Sequence, residues 1–238
     1  MKCSTKSIRE IRGFSFLVPN CDSTLLREKF ESFRKLSNEE NKTYIIRIAD
    51  SNYFKFEVLM LPNSLTLLTI STVRGTNNIN LRDFEMLDEL QTLACCAYQK
   101  EELKNTTSNF LSPTAQIAEA EVVDLISTDE EFECQIECDN VSWNEIKLPE
   151  STEGKWTTTE LASTSRLYLK ALSGQAKFLT ISTERPQNSI KFTSMERLGA
   201  LCCFLTELKR KLNECPTLRD VLQPYLQVKT GRKRKKNE

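Results

Sequence analysis

The chain has 238 residues, with 33 basic and 33 acidic side chains, nine cysteines, no histidine and 39% hydrophobic residues. That balance suits an ordered globular protein and excludes a largely disordered or collagenous one. The first twelve residues are charged and lack a secretory apolar run, and no apolar run reaches the roughly 18 residues of a membrane helix, so the expectation is an intracellular protein with no membrane partner.

In chain order, residues 13–19 read as a short strand and Asp22 as a helix start, followed by Leu25, Leu26, Phe30 and Phe33 at helical spacing. Strand-like runs follow at 43–48, 53–61, 65–73 and 77–81. Within the second of them Phe54, Phe56 and Val58 alternate with Lys55 and Glu57, the period of a half-buried strand. A helix is predicted from Asp83, its N-cap, with Phe84, Leu87, Leu90, Leu93, Ala94 and Ala97 on one face. Residues 105–117 are polar, contain Pro113 and read as a linker.

Beyond the linker, strands are predicted at 121–126, 132–137, 144–148, 156–161, 166–172, 177–183 and 189–192. A second helix begins near Ser194, with Thr193 and Glu196 as a capping box and Leu198, Leu201, Leu205, Leu208 and Leu212 on its apolar face. Pro216 ends that helix, and residues 217–228 suggest a short closing helix broken at Pro224.

One segment occurs twice. Residues 68–90 and 179–201 align without a gap, with identity at Leu68/Leu179, Thr69/Thr180, Ile70/Ile181, Ser71/Ser182, Thr72/Thr183, Arg74/Arg185, Asn77/Asn188, Ile79/Ile190, Glu85/Glu196, Leu87/Leu198 and Leu90/Leu201. So much identity marks a duplication. The expected fold is therefore α+β: two repeated units, each an antiparallel sheet followed by a long amphipathic helix, packed as an intramolecular pseudo-dimer. The units span 1–104 and 118–228, and 229–238 is an unfolded basic tail.

Without histidine, and without a P-loop, G-x-G-x-x-G or G-x-S-x-G motif, no catalytic constellation stands out, so the chain is expected to be non-enzymatic and to use no cofactor. The cysteines show no CxxC pair, so they are expected to be buried free thiols rather than metal ligands. Trp143, Trp156, Tyr168 and Phe178 fit a strand core better than a base-stacking surface.

Arg232, Lys233, Arg234, Lys235 and Lys236 form a basic cluster that reads as a nuclear-localisation signal. Residues 119–160 hold thirteen acidic side chains against Lys147 and Lys155, and so would suit a basic partner protein. Arg74, Arg185, Lys170 and Lys177 are the candidate nucleic-acid contacts, and Phe54, Phe56 and Val58 the candidate partner-binding residues. Asn77 and Asn188 read better as turn-shapers than as ligand contacts.

The block Lys177-Phe178-Leu179-Thr180-Ile181, with the short strand 189–192 and a following helix repeated in tandem, resembles the Pur family and its Whirly-type relatives. That resemblance implies single-stranded DNA or RNA binding. The strand count of the second half, closed by one helix, is equally similar to pleckstrin-homology-like domains. The first half, with its early helix and four strands, is similar to RWD domains. The functional expectation is a nuclear adaptor in a chromatin- or nucleic-acid-associated complex, with Pur-like single-strand binding as the alternative.

Overall fold

The structure, a computed structural model, describes residues 14–17, 23–75, 77–100, 138–144, 157–173 and 178–226. The first half runs β1 (Ser15–Phe16), α1 (Ser23–Glu40), β2 (Tyr44–Asp50), β3 (Phe54–Leu61), β4 (Leu65–Thr72), β5 (Asn78–Leu81) and α2 (Phe84–Gln99). The second runs β6 (Ser142–Trp143), β7 (Thr157–Ser163), β8 (Tyr168–Ser173), β9 (Phe178–Ser182), β10 (Ser189–Phe192), α3 (Met195–Glu214) and α4 (Pro216–Leu226).

The ten described strands lie in one antiparallel sheet, in the order β1-β2-β3-β4-β5-β10-β9-β8-β7-β6. This corrects the expectation of two repeated sheet-plus-helix units packed as a pseudo-dimer. Pairing of β5 with β10 fuses the strands into one sheet, and among the described residues four helices accompany it rather than one per unit. The duplicated sequence covers only β4, β5 and the start of α2, with β9, β10 and the start of α3, so it carried no information about how the remaining elements join.

Side-chain alternation decides which sheet face the helices cover. Phe54, Phe56, Val58 and Met60 of β3 are almost wholly buried, while Lys55, Glu57, Leu59 and Leu61 between them are only half-buried. Leu68, Ile70, Ile79 and Leu81 continue the buried side across β4 and β5. Leu169, Ala171, Leu179, Ile181, Ile190 and Phe192 do the same in β8, β9 and β10. The described helices pack on this side, and their apolar stripes merge with it into one core.

The helices cross between the halves. The Phe204 ring of α3 stands 6.1 Å from Phe54 of β3 and 5.7 Å from Phe14. On α2, Glu89 accepts hydrogen bonds from Thr164 (2.6 Å), Ser165 (3.0 Å) and Arg166 (2.7 Å) in the β7–β8 turn. Helix α4 lies along α1, where Tyr225 donates to Glu31 at 3.3 Å and Arg34 stacks over the Tyr225 ring at 5.1 Å. Between α2 and α3 the fit is close, since a Cβ on Gly199 would come within 2.7 Å of the Tyr98 ring.

Local signals explain the helix ends. Asp83 caps α2 by accepting from the Met86 N–H at 2.7 Å, and the cap of α3 is Ser194, accepting from Arg197 at 3.3 Å, rather than Thr193. Pro216 occupies the first position of α4, where its missing N–H is not needed. Pro224 lies inside α4 without breaking it.

The cysteines depart from the free-thiol expectation. Cys96 on α2 is bonded to Cys138, with Cα atoms 5.9 Å apart, and Cys215 is also in a disulfide. Cys95, Cys202 and Cys203 keep their thiols outside any disulfide. Adjacent positions on a helix point in different directions, so Cys95 stays in the core while its neighbour reaches Cys138.

The Arg166–Glu89 contact yields a pH prediction. Burial pushes the Glu89 carboxyl up, but hydrogen bonds from Thr164, Arg166 and Ser165 outweigh this and hold it below the usual carboxylate range. A depressed carboxyl stabilises the fold at neutral pH and loses that contribution as pH falls through its folded value. Glu89→Gln is therefore expected to be destabilised relative to the parent at pH 7, with the gap closing on acidification below the ordinary carboxylate range. Urea unfolding at a series of pH values checks this, and a gap that stays constant would remove Glu89 as the cause.

Candidate functional site

Among the described residues, the other face of the sheet is left without a covering helix. Its centre is the β5–β10 seam, whose ladder has the single register pair Ser189–Asn78. Two asparagine side chains extend that seam. The Asn77 amide accepts from the Lys191 N–H at 2.9 Å and donates to the Lys191 carbonyl at 2.8 Å. Asn188 does the same to Asn80, accepting at 2.7 Å and donating at 2.8 Å. Each amide thus stands in for a peptide group on the neighbouring strand. These residues hold the halves of the sheet together, beyond the turn-shaping expected from the sequence.

Flanking the seam, Thr69, Ser71, Thr180 and Ser182 point to the helix-free side yet are nearly buried among their neighbours. Thr69 donates to the Asn80 side chain at 2.7 Å. Ser71 donates to Glu57 at 3.4 Å, and Glu57 also accepts from Arg47 at 3.2 Å. In the other half, the register places Lys170 where Glu57 stands, Tyr168 where Lys55 stands and Lys191 where Asn80 stands. There Ser182 Oγ is buried with no hydrogen-bond partner.

Toward one corner of this face the side chains become apolar. Ile45, Leu59 and Leu67 are register partners across β2, β3 and β4, with Leu61 and Leu65 paired beside them. Ile45 is 61% exposed and the leucines are half-buried. The matching corner of the second half carries the row Thr158, Leu172 and Phe178.

The sequence-predicted residues fall as follows. Phe54, Phe56 and Val58 are at most 2% exposed under the helices, so β3 turns its other face outward. Arg74 and Arg185 are exposed, in the β4–β5 and β9–β10 turns. Because β5 and β10 are antiparallel, these turns sit at opposite ends of the seam, and the arginines are not brought together. Lys170 is on the helix-free face, 5.0 Å above the Tyr168 ring.

Tyr168 and Phe178 face outward with Lys170, while Trp143 lies beneath the Lys100 ammonium at 4.1 Å. Lys177, Trp156, the basic cluster 232–236 and most of the acidic stretch 119–160 lie outside the described residues. Sequence reading missed Ile45, Leu59, Leu67 and Lys191. The signal for β3 was present in the alternation itself, but alternation does not say which of its two faces the helices take.

A shallow cleft between α2, α3 and α4, lined by Leu87, Asp88, Leu205 and Arg219, encloses about 10 Å³, room for one water. Among the described residues no three cysteine or carboxylate side chains gather as a metal centre would require. Comparison with protein-family models, with curated proteins and with solved structures finds no match to this chain.

Proposed function

We propose that the protein is a non-enzymatic adaptor that binds partner proteins on the helix-free face of its sheet, in a nuclear, chromatin- or nucleic-acid-associated complex. The observation that carries this reading is the row Ile45–Leu59–Leu67, apolar side chains placed side by side on a face that no described helix covers. Grouped apolar side chains on an exposed face mark a recognition surface more than scattered ones do. The alternative of direct single-strand binding draws less support, because Arg74 and Arg185 stand at opposite ends of the seam.

The test is retention of nuclear proteins by the full chain and by an Ile45→Glu/Leu59→Glu variant, with folding checked by circular dichroism. Partner retention is expected to fall at least about tenfold, the effect of removing a binding anchor worth some 1.4 kcal/mol. Undiminished retention by a folded variant would remove this corner as the docking site. Two features bear on location from opposite sides: the basic tail favours nuclear import, and the disulfides favour an oxidising setting. Imaging the full chain beside one with Arg232, Lys233, Arg234, Lys235 and Lys236 replaced by alanine decides between them.

A further inference from the structure

The two halves of the helix-free face form an internal comparison. In the first half the carboxylate of Glu57 lies between Arg47 and the Ser71 hydroxyl, and answers both. In the second half no carboxylate occupies that place. The register sets Lys191 and Lys170 on either side of Thr180, three adjacent strands contributing one side chain each. One step along β9 is Ser182, 3% exposed, its hydroxyl without an acceptor.

Neither lysine has an ion pair among the described residues. Lys170 rests on the Tyr168 ring, and the nearest carboxylate in register, Glu160, accepts from Asn144 at 3.4 Å instead. Leu172 and Phe178 stand two residues farther along the same strands.

We infer that Lys170, Lys191 and Ser182 form a receptor for a carboxylate of an acidic protein segment, which answers the Ser182 hydroxyl as Glu57 answers that of Ser71 in the first half. The inference rests on the adaptor reading and names the chemistry of its partner: an aspartate or glutamate with a bulky apolar residue beside it. The two ammonium groups supply charge, and Leu172 and Phe178 receive the apolar neighbour. Ser182 donates the missing hydrogen bond once the Lys170 side chain swings from the Tyr168 ring. A carboxylate is favoured over a phosphate because a carboxylate, that of Glu57, is what accepts from the equivalent hydroxyl, Ser71, in the first half.

The probe is a capped peptide of alternating glutamate and phenylalanine, titrated into the isotope-labelled full chain and followed by nuclear magnetic resonance. Amide shifts are expected to concentrate at Lys170, Thr180, Ser182 and Lys191. They should vanish for the peptide with glutamine in place of glutamate, and for Lys170→Gln/Lys191→Gln. Lys35→Gln, on the exposed side of α1, should leave them unchanged.

Absent or scattered shifts at millimolar peptide, or shifts that survive the double substitution, overturn the proposal. Tighter binding of a thymidine oligonucleotide or of inorganic phosphate at the same residues also overturns it, in favour of phosphate recognition. The adaptor reading is judged separately, since loss of retention in Ile45→Glu/Leu59→Glu depends on the opposite corner.

Discussion

Truncating Phe204 to alanine is expected to be the most damaging single change in this core, costing about 3–5 kcal/mol. The side chain is fully buried, so its loss removes apolar contact and leaves a cavity that close-packed neighbours cannot fill. Its position adds to the effect. Phe204 belongs to α3, yet its ring neighbours, Phe14 and Phe54, come from the other half of the chain. The change therefore weakens the contact that ties α3 across the sheet. Thermal unfolding should show a drop in Tm on the order of 10 °C, as expected for a domain of this size. Phe204→Leu, which keeps most of the volume, should recover more than half of the loss. A Tm within a degree or two of the parent would mean that the ring is not a packing anchor.

The seam gives the second large effect. Asn188→Ala removes two short hydrogen bonds and leaves the part-buried N–H and carbonyl of Asn80 unanswered, an expected cost of about 1–3 kcal/mol. Asn77→Ala removes the equivalent pair to Lys191, but at an exposed position where water can replace them, so about 0.5–1 kcal/mol is expected. Because both amides clamp the same short ladder, the double variant should lose more than the sum of the two. Urea unfolding of the four proteins measures this coupling directly. Strict additivity would mean that the two clamps act independently and that the halves are held chiefly by helix packing.

These expectations rest on parts of the molecule that the sequence made visible to very different degrees. The strands β2, β3, β4 and β5, and the start of α2 at its Asp83 cap, were legible because each carries a local signal: alternation, a run of branched residues, or a capping side chain next to an apolar stripe. The duplicated block was legible for the same reason, being a match of residue against residue. The identity at Asn77 and Asn188 pointed to these residues, but its meaning required knowing which backbone lay opposite. A side-chain amide bonded to a residue more than a hundred positions away leaves no trace in spacing.

The candidate site was read with the wrong face outward. Alternation in β3 separates Phe54, Phe56 and Val58 from Lys55, Glu57, Leu59 and Leu61 with no ambiguity, since the strand period is two. Which set meets a partner depends on where the helices lie. Once α3 brings Phe204 onto Phe54, the aromatic set becomes core, and the leucines and charges become surface. Ile45 shows the same dependence. It reads as an ordinary strand hydrophobe, and only its pairing with Leu59 on the helix-free side makes it part of an exposed row.

By itself, then, the sequence determined β2 to β5, the start of α2, the duplication and the polarity of those strands. Those follow from side-chain periodicity, capping and composition, which act within a few residues of each other. The tertiary structure alone decided that the strands form one ten-stranded sheet, that Cys96 meets Cys138, that Arg74 and Arg185 stand apart, and that Lys170 and Lys191 flank one threonine. Each of those is a relation between residues far apart in the chain. The energy that selects them is the burial of one shared apolar face, which depends on every element at once and is written in none of them singly.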